Sequence, residues 1–364
     1  MKDIKTIDSL YHACTYGRAP VVFERGRGAR LWNDKGRDYI DFGSGIGVMS
    51  LGYANPEWVK AVSEQAAVLP HTSNLFYNEK TAMLAGRLAL RRVFLSNSGA
   101  EANECLIKTA RKWASDTKGE GEHPFVTLVN SFHGRTLTTV TATGQDTFHK
   151  FFGPFTPGFR YVPAGDLAAL ERQLDAEDCS AVLVEIVQGE GGVRALDADY
   201  LKAVEALCHE KNVLFCVDEV QTGNGLPIGA TLMGPKTAEV LTPGTHGSTF
   251  GGNPVACAGA LSVLEQIDDA FLEAVKQKGA WLTAELEKIP GVKDVSGLGL
   301  MLGFSVEGCK SADIKAKALD NGLVVLTAKD RVRLLPPLAI TEEELSDGLL
   351  RLAAAIREVQ EAAH

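Results

Sequence analysis

Five short stretches of this chain carry residue types that could grip a charged, planar molecule. The apolar run Val213–Val217 ends in the acid pair Asp218-Glu219. A carboxylate just past a hydrophobic strand needs a cation, and a protonated ring nitrogen is one candidate; capping the next turn is the plainer use. Ser96-Asn97-Ser98-Gly99-Ala100 stands directly before a helical pattern. Backbone N–H groups at a helix start hold phosphate, and Gly99 and Ala100 leave room for it; an ordinary N-cap by Ser98 competes. Phe132-His133-Gly134-Arg135-Thr136 offers a ring for stacking and a guanidinium for a carboxylate, against a core plug and a surface arginine. Glu185 and Glu190 bracket another polar strand end, and Thr245–Pro254 is dense in hydroxyls and glycines, a second anion cradle. Together these stretches describe one pocket: phosphate cradle, stacking ring, acid for a ring nitrogen, and arginine for a carboxylate.

Such residues need a frame that brings them to one rim. From about residue 80 the pattern repeats strand, polar turn, helix: RVFLSNSG, then GAEANECLIKTARKWASD, then PFVTLVNSF, SAVLVEIVQGEGG and NVLFCVDEV, the last preceded by the helical ALDADYLKAVEALCHEK. Continuous apolar strands alternating with helices predict a parallel sheet covered on both faces, with ligands beyond the strands' carboxyl ends. The first fifty residues read as an antiparallel β element around the turn Asn33-Asp-Lys-Gly36, and Asn55 opens a helix to about Val68. The C-terminal part reads as a hairpin from Gly291, a helix, the strands GLVVLT and RVRLLPP, and a last helix opened by the capping box Thr341–Glu344. This divides the chain into an N-terminal piece of a small domain (1–55), a large domain (56–264) and a C-terminal small α/β domain (265–364).

Composition narrows the function classes. A net charge of −9 argues against a nucleic-acid surface and suits a protein that handles small metabolites. Seven cysteines, an odd number without a CxxC pair, read as free thiols; Cys105 and Cys257 read as packing groups. The histidines show no metal-ligand spacing. No apolar run reaches membrane-spanning length and the first residues lack a signal peptide's apolar core, which predicts a cytoplasmic protein without a membrane or nucleic-acid partner.

In order and content, RGRGARLWNDKGRDYIDFGSGIGV, HTSNLFYNE, SNSGAEANE, FHGRT, VQGEGGV, DEVQTG, PGTHGSTFGGNP and VRLLPPL resemble the class III pyridoxal-phosphate aminotransferases of fold type I, over nearly the whole chain. Within the class, FHGRT, THGSTFGGNP and RLLPPL look most like the acetylornithine aminotransferases; relatives acting on succinylornithine, ornithine or 4-aminobutyrate are the alternatives. The resemblance implies pyridoxal 5′-phosphate (PLP) as cofactor, with Ser98, Gly99 and Ala100 at its phosphate. Phe132 would lie on one face of its ring with Val220 on the other, His133 beside it, Asp218 at the ring nitrogen and Gln221 near the ring hydroxyl. Thr249 would reach the phosphate held by the partner of a homodimer, and Ser248 would lie at the substrate entrance. Arg135 would take the distal carboxylate of the substrate and Arg333 the α-carboxylate of glutamate or 2-oxoglutarate. Glu190 would cover Arg333 when the amine donor is bound. The implied reaction is a ping-pong transfer of the δ-amino group of N-acetylornithine to 2-oxoglutarate.

That chemistry needs a Schiff-base lysine, and in the family it follows the aspartate by a helix and a strand. Here Gly225 joins directly to Leu226-Pro-Ile-Gly-Ala230, and helix, strand and lysine are all missing. Lys236 lies beyond that turn and Lys211 precedes the strand, so neither fits the role. A second abrupt join falls at Leu90-Arg91, where a helix pattern becomes a strand without turn residues. We read both joins as places where residues of a longer chain are absent, at Gly225-Leu226 a mobile active-site segment without cofactor; a true deletion, leaving a lysine-less non-catalytic homologue, is the alternative. A strand removed from the middle of a parallel sheet should leave backbone groups unpaired and the core open.

Overall fold

The computed structural model describes residues 3–175, 178–220 and 225–362. An N-terminal helix, Ile4–Tyr11, precedes three antiparallel strands: β1 (Phe23–Arg27), β2 (Arg30–Asn33) and β3 (Asp38–Asp41). Strand β4 (Arg92–Ser96) follows, and then β5 (Phe125–Leu128), β6 (Phe159–Val162), β7 (Ala181–Val184), the short antiparallel pair β8 (Val187–Gln188) and β9 (Arg194–Ala195), β10 (Leu214–Val217) and β11 (Gly229–Met233). The C-terminal part adds β12 (Val292–Leu298), β13 (Met301–Val306), β14 (Leu323–Val324), β15 (Leu326–Ala328) and β16 (Arg331–Leu334) before the closing helix Glu342–Ala362.

The apolar run GLVVLT, expected as one strand, divides between two sheets. Its first half, β14, pairs parallel with β3, and its second half, β15, pairs antiparallel with β16. Residues from both ends of the chain therefore share one core: Ile40 and Phe42 pack with Leu302, Phe304, Val332 and Leu352. The capping box forms as read, with Glu344 N–H donating to Thr341 Oγ1 and Thr341 N–H donating to Glu344 Oε2, both at 3.1 Å.

Between these termini lies the parallel sheet, in the order β10-β7-β5-β6. Apolar residues on both of its faces are buried: Val126, Leu128, Val182 and Val184 in one cluster, Phe125 and Leu183 in another. The expected single central sheet is nevertheless broken. Strands β4 and β11 form their own antiparallel pair, Gly229 opposite Ser96 and Met233 opposite Arg92, and neither pairs with β10.

The two abrupt joins have different consequences. At Leu90-Arg91 the helix Glu79–Leu88 passes into β4 through three residues, and Arg91 N–H still donates to Met233 O at 3.2 Å. At Gly225-Leu226 the chain continues straight to β11, and the sheet is split at that point. The physical reason is the one expected from the sequence: β10 and β11 each keep a partner on one side, β7 and β4, and among the described residues no strand lies between them to join the halves.

Candidate active site

Strand β10 delivers Asp218 to the carboxyl rim of the sheet, its N–H anchored on Val184 O at 2.8 Å. The side chain is 5% exposed and faces the fully buried His133, whose Nδ1 lies 2.8 Å from Asp218 Oδ2. Asn103 Nδ2 donates to the same oxygen at 2.7 Å and to His133 O at 2.9 Å. Asp218 Oδ1 accepts the Val220 N–H, at 3.2 Å. With the carboxylate ionised, His133 carries its proton on Nδ1. Its Nε2 is buried without a partner.

The helix Gly99–Lys118 starts beside this cluster. Ser98 Oγ does accept the Glu101 N–H, at 3.2 Å, so the plain N-cap is present. Among the described residues no acceptor is recorded for the N–H groups of Gly99 and Ala100, which leaves both for an anion. A Cβ on Gly99 would come within 2.2 Å of Val220 Cγ1, so a side chain here would displace Val220 and close the cradle. Gly134, at φ +135°, brings the Phe132–Thr136 loop against Ala100, where a Cβ would stand 2.9 Å from that methyl.

Phe132 is half-buried, edge-on to Phe148 at 5.5 Å between ring centres. Arg135 is exposed, with its guanidinium 4.1 Å from the centre of the Phe148 ring and 5.5 Å from that of Phe132. Arg333 is 4% exposed on β16, and its Nη1 lies 2.8 Å from Glu190 Oε1. Ser248 Oγ accepts from Asn97 Nδ2 at 3.1 Å and holds the Thr245–Pro254 loop at the end of β4. Thr249 is exposed and lines a hollow of about 350 Å³ with Asn97, Glu101, Glu104 and His246, without a recorded contact to the Asp218 cluster. Gln221 lies outside the described residues.

One member of the site, Asn103, was not read from the sequence, and Glu185 was read at its strand end without a partner. Asn103 sits four residues after Gly99 on a largely apolar helix face; a buried amide there needs partners, and Asp218 and His133 are those partners. Glu185 accepts the Phe132 N–H at 3.0 Å, and its burial, reinforced by the nearby charges of Asp218 and Glu190, raises its carboxyl well above the usual range.

The residues present fit an anionic, planar, nitrogen-containing ring. Among the described residues, two N–H groups without an acceptor stand ready for a phosphate, a buried carboxylate is braced at one oxygen by His133 and Asn103 and takes the Val220 N–H at the other, and a buried imidazole nitrogen has no partner. The family model for "Aminotransferase class-III" matches residues 11–225 and 223–356. The chain belongs to the class III aminotransferases. Its fold is that of a PLP-dependent transaminase, and its cofactor is PLP.

Relatives of this aminotransferase include the acetylornithine aminotransferase of Haemophilus ducreyi, 45% identical over 388 aligned positions, covering 98% of this chain and 99% of that protein. Another is the acetylornithine aminotransferase of Caldanaerobacter subterraneus, 41% identical and covering 98% and 99%. Among solved structures, the ornithine aminotransferase of Toxoplasma gondii superposes with a TM-score of 0.93 at 34% identity, covering 98% of this chain and 95% of that one. A second structure of the Toxoplasma enzyme, at TM-score 0.91, 34% identity and coverage of 99% and 95%, holds PLP at partial occupancy.

The comparisons also bear on the join at Gly225. The family match breaks there, and the 388 positions aligned to the Haemophilus enzyme exceed the 364 residues of this chain. The relative therefore carries residues without a counterpart here. Neither lysine weighed as a substitute is free: Lys211 Nζ pairs with Asp175 at 2.8 Å, and Lys236 Nζ donates to Asn212 Oδ1 at 3.3 Å.

Proposed function

We propose that this site serves transfer of the δ-amino group of N2-acetylornithine to 2-oxoglutarate, a step of arginine biosynthesis, and that the 364-residue form carries the binding half of that machinery. The observation that carries the substrate reading is the Arg333–Glu190 ion pair at 2.8 Å. A buried arginine held by a partly exposed carboxylate can be released to grip the α-carboxylate of glutamate or 2-oxoglutarate. It can be covered again when the other substrate presents no carboxylate at that end. Exposed Arg135 takes the carboxylate at the far end of the substrate, and Ser248 lies at the entrance.

Gly99 and Ala100 hold the cofactor phosphate, with Ser98 shaping the turn. Phe132 and Val220 bound the ring, and Asp218, braced by His133 and Asn103, takes the ring N–H. When bound, PLP supplies an electron sink for carbon–hydrogen bond breaking next to nitrogen. Because the 364-residue chain runs on through Gly225-Leu226, we adopt here the alternative of a true deletion in place of residues absent from a longer chain: the groups that bind and orient are present, while the amine that would anchor the cofactor and carry the proton is not. The reading implies a homodimer in the cytoplasm: Thr249 is exposed and lines a hollow that Asp218 does not line, and Leu75, Phe76 and Tyr77 form an exposed apolar stretch suited to a second copy.

Turnover with N-acetylornithine, ornithine and 4-aminobutyrate, each with 2-oxoglutarate and with added methylamine as a replacement for the missing amine, tests this. The expected result is slow, methylamine-dependent transfer that favours N-acetylornithine. A lysine proton carrier is worth about 10²–10⁴-fold, so fast turnover without added amine would overturn the lysine-less reading. Equal use of 4-aminobutyrate would overturn the substrate assignment.

A further inference from the structure

Phe148 stands between two groups of the proposed site. The short helix Asp146–His149 carries it, and that helix is pinned at both ends. Gln145 Nε2 donates to Ser131 O at 3.0 Å, the Phe148 N–H donates to Gln145 O at 3.1 Å, and His149 Nε2 donates to Val140 O at 2.8 Å. The half-buried Phe148 ring meets Phe132 edge-on at 5.5 Å between centres, and the Arg135 guanidinium lies over it at 4.1 Å. Among the described residues the Arg135 side chain has neither a hydrogen bond nor an ion pair, so rings are what hold it. A ring attracts a cation through its face and brings no charge or lone pair of its own. The N–H donors of Arg135 therefore stay available for a carboxylate.

We propose that Phe148 is a positioning residue for Arg135, holding the guanidinium in place for the far carboxylate of each substrate without competing for its donors. The inference deepens the proposed function and rests on Arg135 taking that carboxylate. The two ends of the pocket set different demands. At Arg333 only one of the two substrates presents a carboxylate, so a displaceable acid suits that end, and Glu190 supplies it at 2.8 Å. At Arg135 both substrates present a carboxylate. An acid there would have to be displaced in both halves of the reaction, whereas a ring can stay where it is. An exposed arginine without such a hold would lose its side-chain freedom at each binding event; one already stacked loses less. Because Phe148 also touches Phe132, which bounds the cofactor ring in the proposed site, the pair of rings fixes the distance between cofactor and carboxylate grip.

The test is calorimetric titration of the full PLP-loaded chain with N-acetylornithine and with N-acetylputrescine, which keeps the amine and the acetamide and lacks the carboxylate. Phe148→Leu should weaken N-acetylornithine binding about fivefold to thirtyfold and leave N-acetylputrescine unchanged. Phe148→Tyr, which keeps the ring face, should bind like the unaltered chain. In an Arg135→Gln background, Phe148→Leu should have no further effect, an outcome that a merely structural role would not give. Phe148→Met, similar in volume and without a ring, gives the same reading if the leucine chain does not fold. The proposal is overturned if Phe148→Leu leaves N-acetylornithine binding unchanged while Arg135→Gln weakens it. Equal losses for both ligands, a loss that persists without Arg135, or a tyrosine variant as weak as the leucine one also overturn it. Failure of the underlying reading looks different: Arg135→Gln alone would then leave the preference for N-acetylornithine intact, and the role of Phe148 would fall with that of Arg135.

Discussion

Asp218 is the residue on which the site turns. Two neutral donors, Asn103 and the His133 imidazole, hold one of its oxygens, so the carboxylate is fixed in place while its charge remains for a ring N–H. Asp218→Asn should weaken PLP binding about tenfold or more in a fluorescence titration, because a charged acceptor is replaced by an amide. Glu185 gives a pH signature. Its folded-state carboxyl titrates well above the unfolded one, so between those two values the folded chain binds more protons than the unfolded chain. Stability should therefore fall as pH rises through that window. Glu185→Gln should remove this slope in denaturant titrations at a series of pH values, and an unchanged slope would show that Glu185 is not its source. At this scale the sequence was informative where spacing carried the meaning: Asp218 after β10, Gly99 and Ala100 at a helix start, Arg333 in VRLLPPL. It was silent on Asn103 and on the Glu185–Phe132 bond, because a lone polar residue on an apolar helix face or at a strand end has no periodicity to betray its partner.

The strands tell a similar story. Period and apolar content in the sequence announced β5, β7 and β10, and the missing turn residues announced the join at Gly225. The division of GLVVLT between two sheets was not legible, since both halves are equally apolar and only the positions of β3 and β16 decide where each pairs. The split sheet makes an exchange prediction. Amides on the unpaired edges of β10 and β11 should exchange faster than those of β5 and β7, which are each paired on both sides. Mass-resolved hydrogen exchange checks this. Equal protection of β10 and β7 would mean that the slot between β10 and β11 is closed.

At the scale of the whole molecule, the chain is a class III aminotransferase in which the residues proposed as cofactor cradle (Gly99, Ala100), ring acid (Asp218) and carboxylate-binding arginines (Arg135, Arg333) are present, while the family's lysine is not. The two facts are coupled. The slot between β10 and β11 opens at its rim beside Asp218 and Gly99, so the same cavity that breaks the sheet also opens the cofactor site. The most direct measurement is the intact mass of the purified chain after incubation with PLP, reduction with borohydride and dialysis. The account predicts PLP binding by absorbance that dialysis reverses, and a mass that stays at 39.0 kDa with or without reduction. A reduced cofactor fixed to a lysine of this chain, or a mass well above 39.0 kDa before PLP is added, would contradict it.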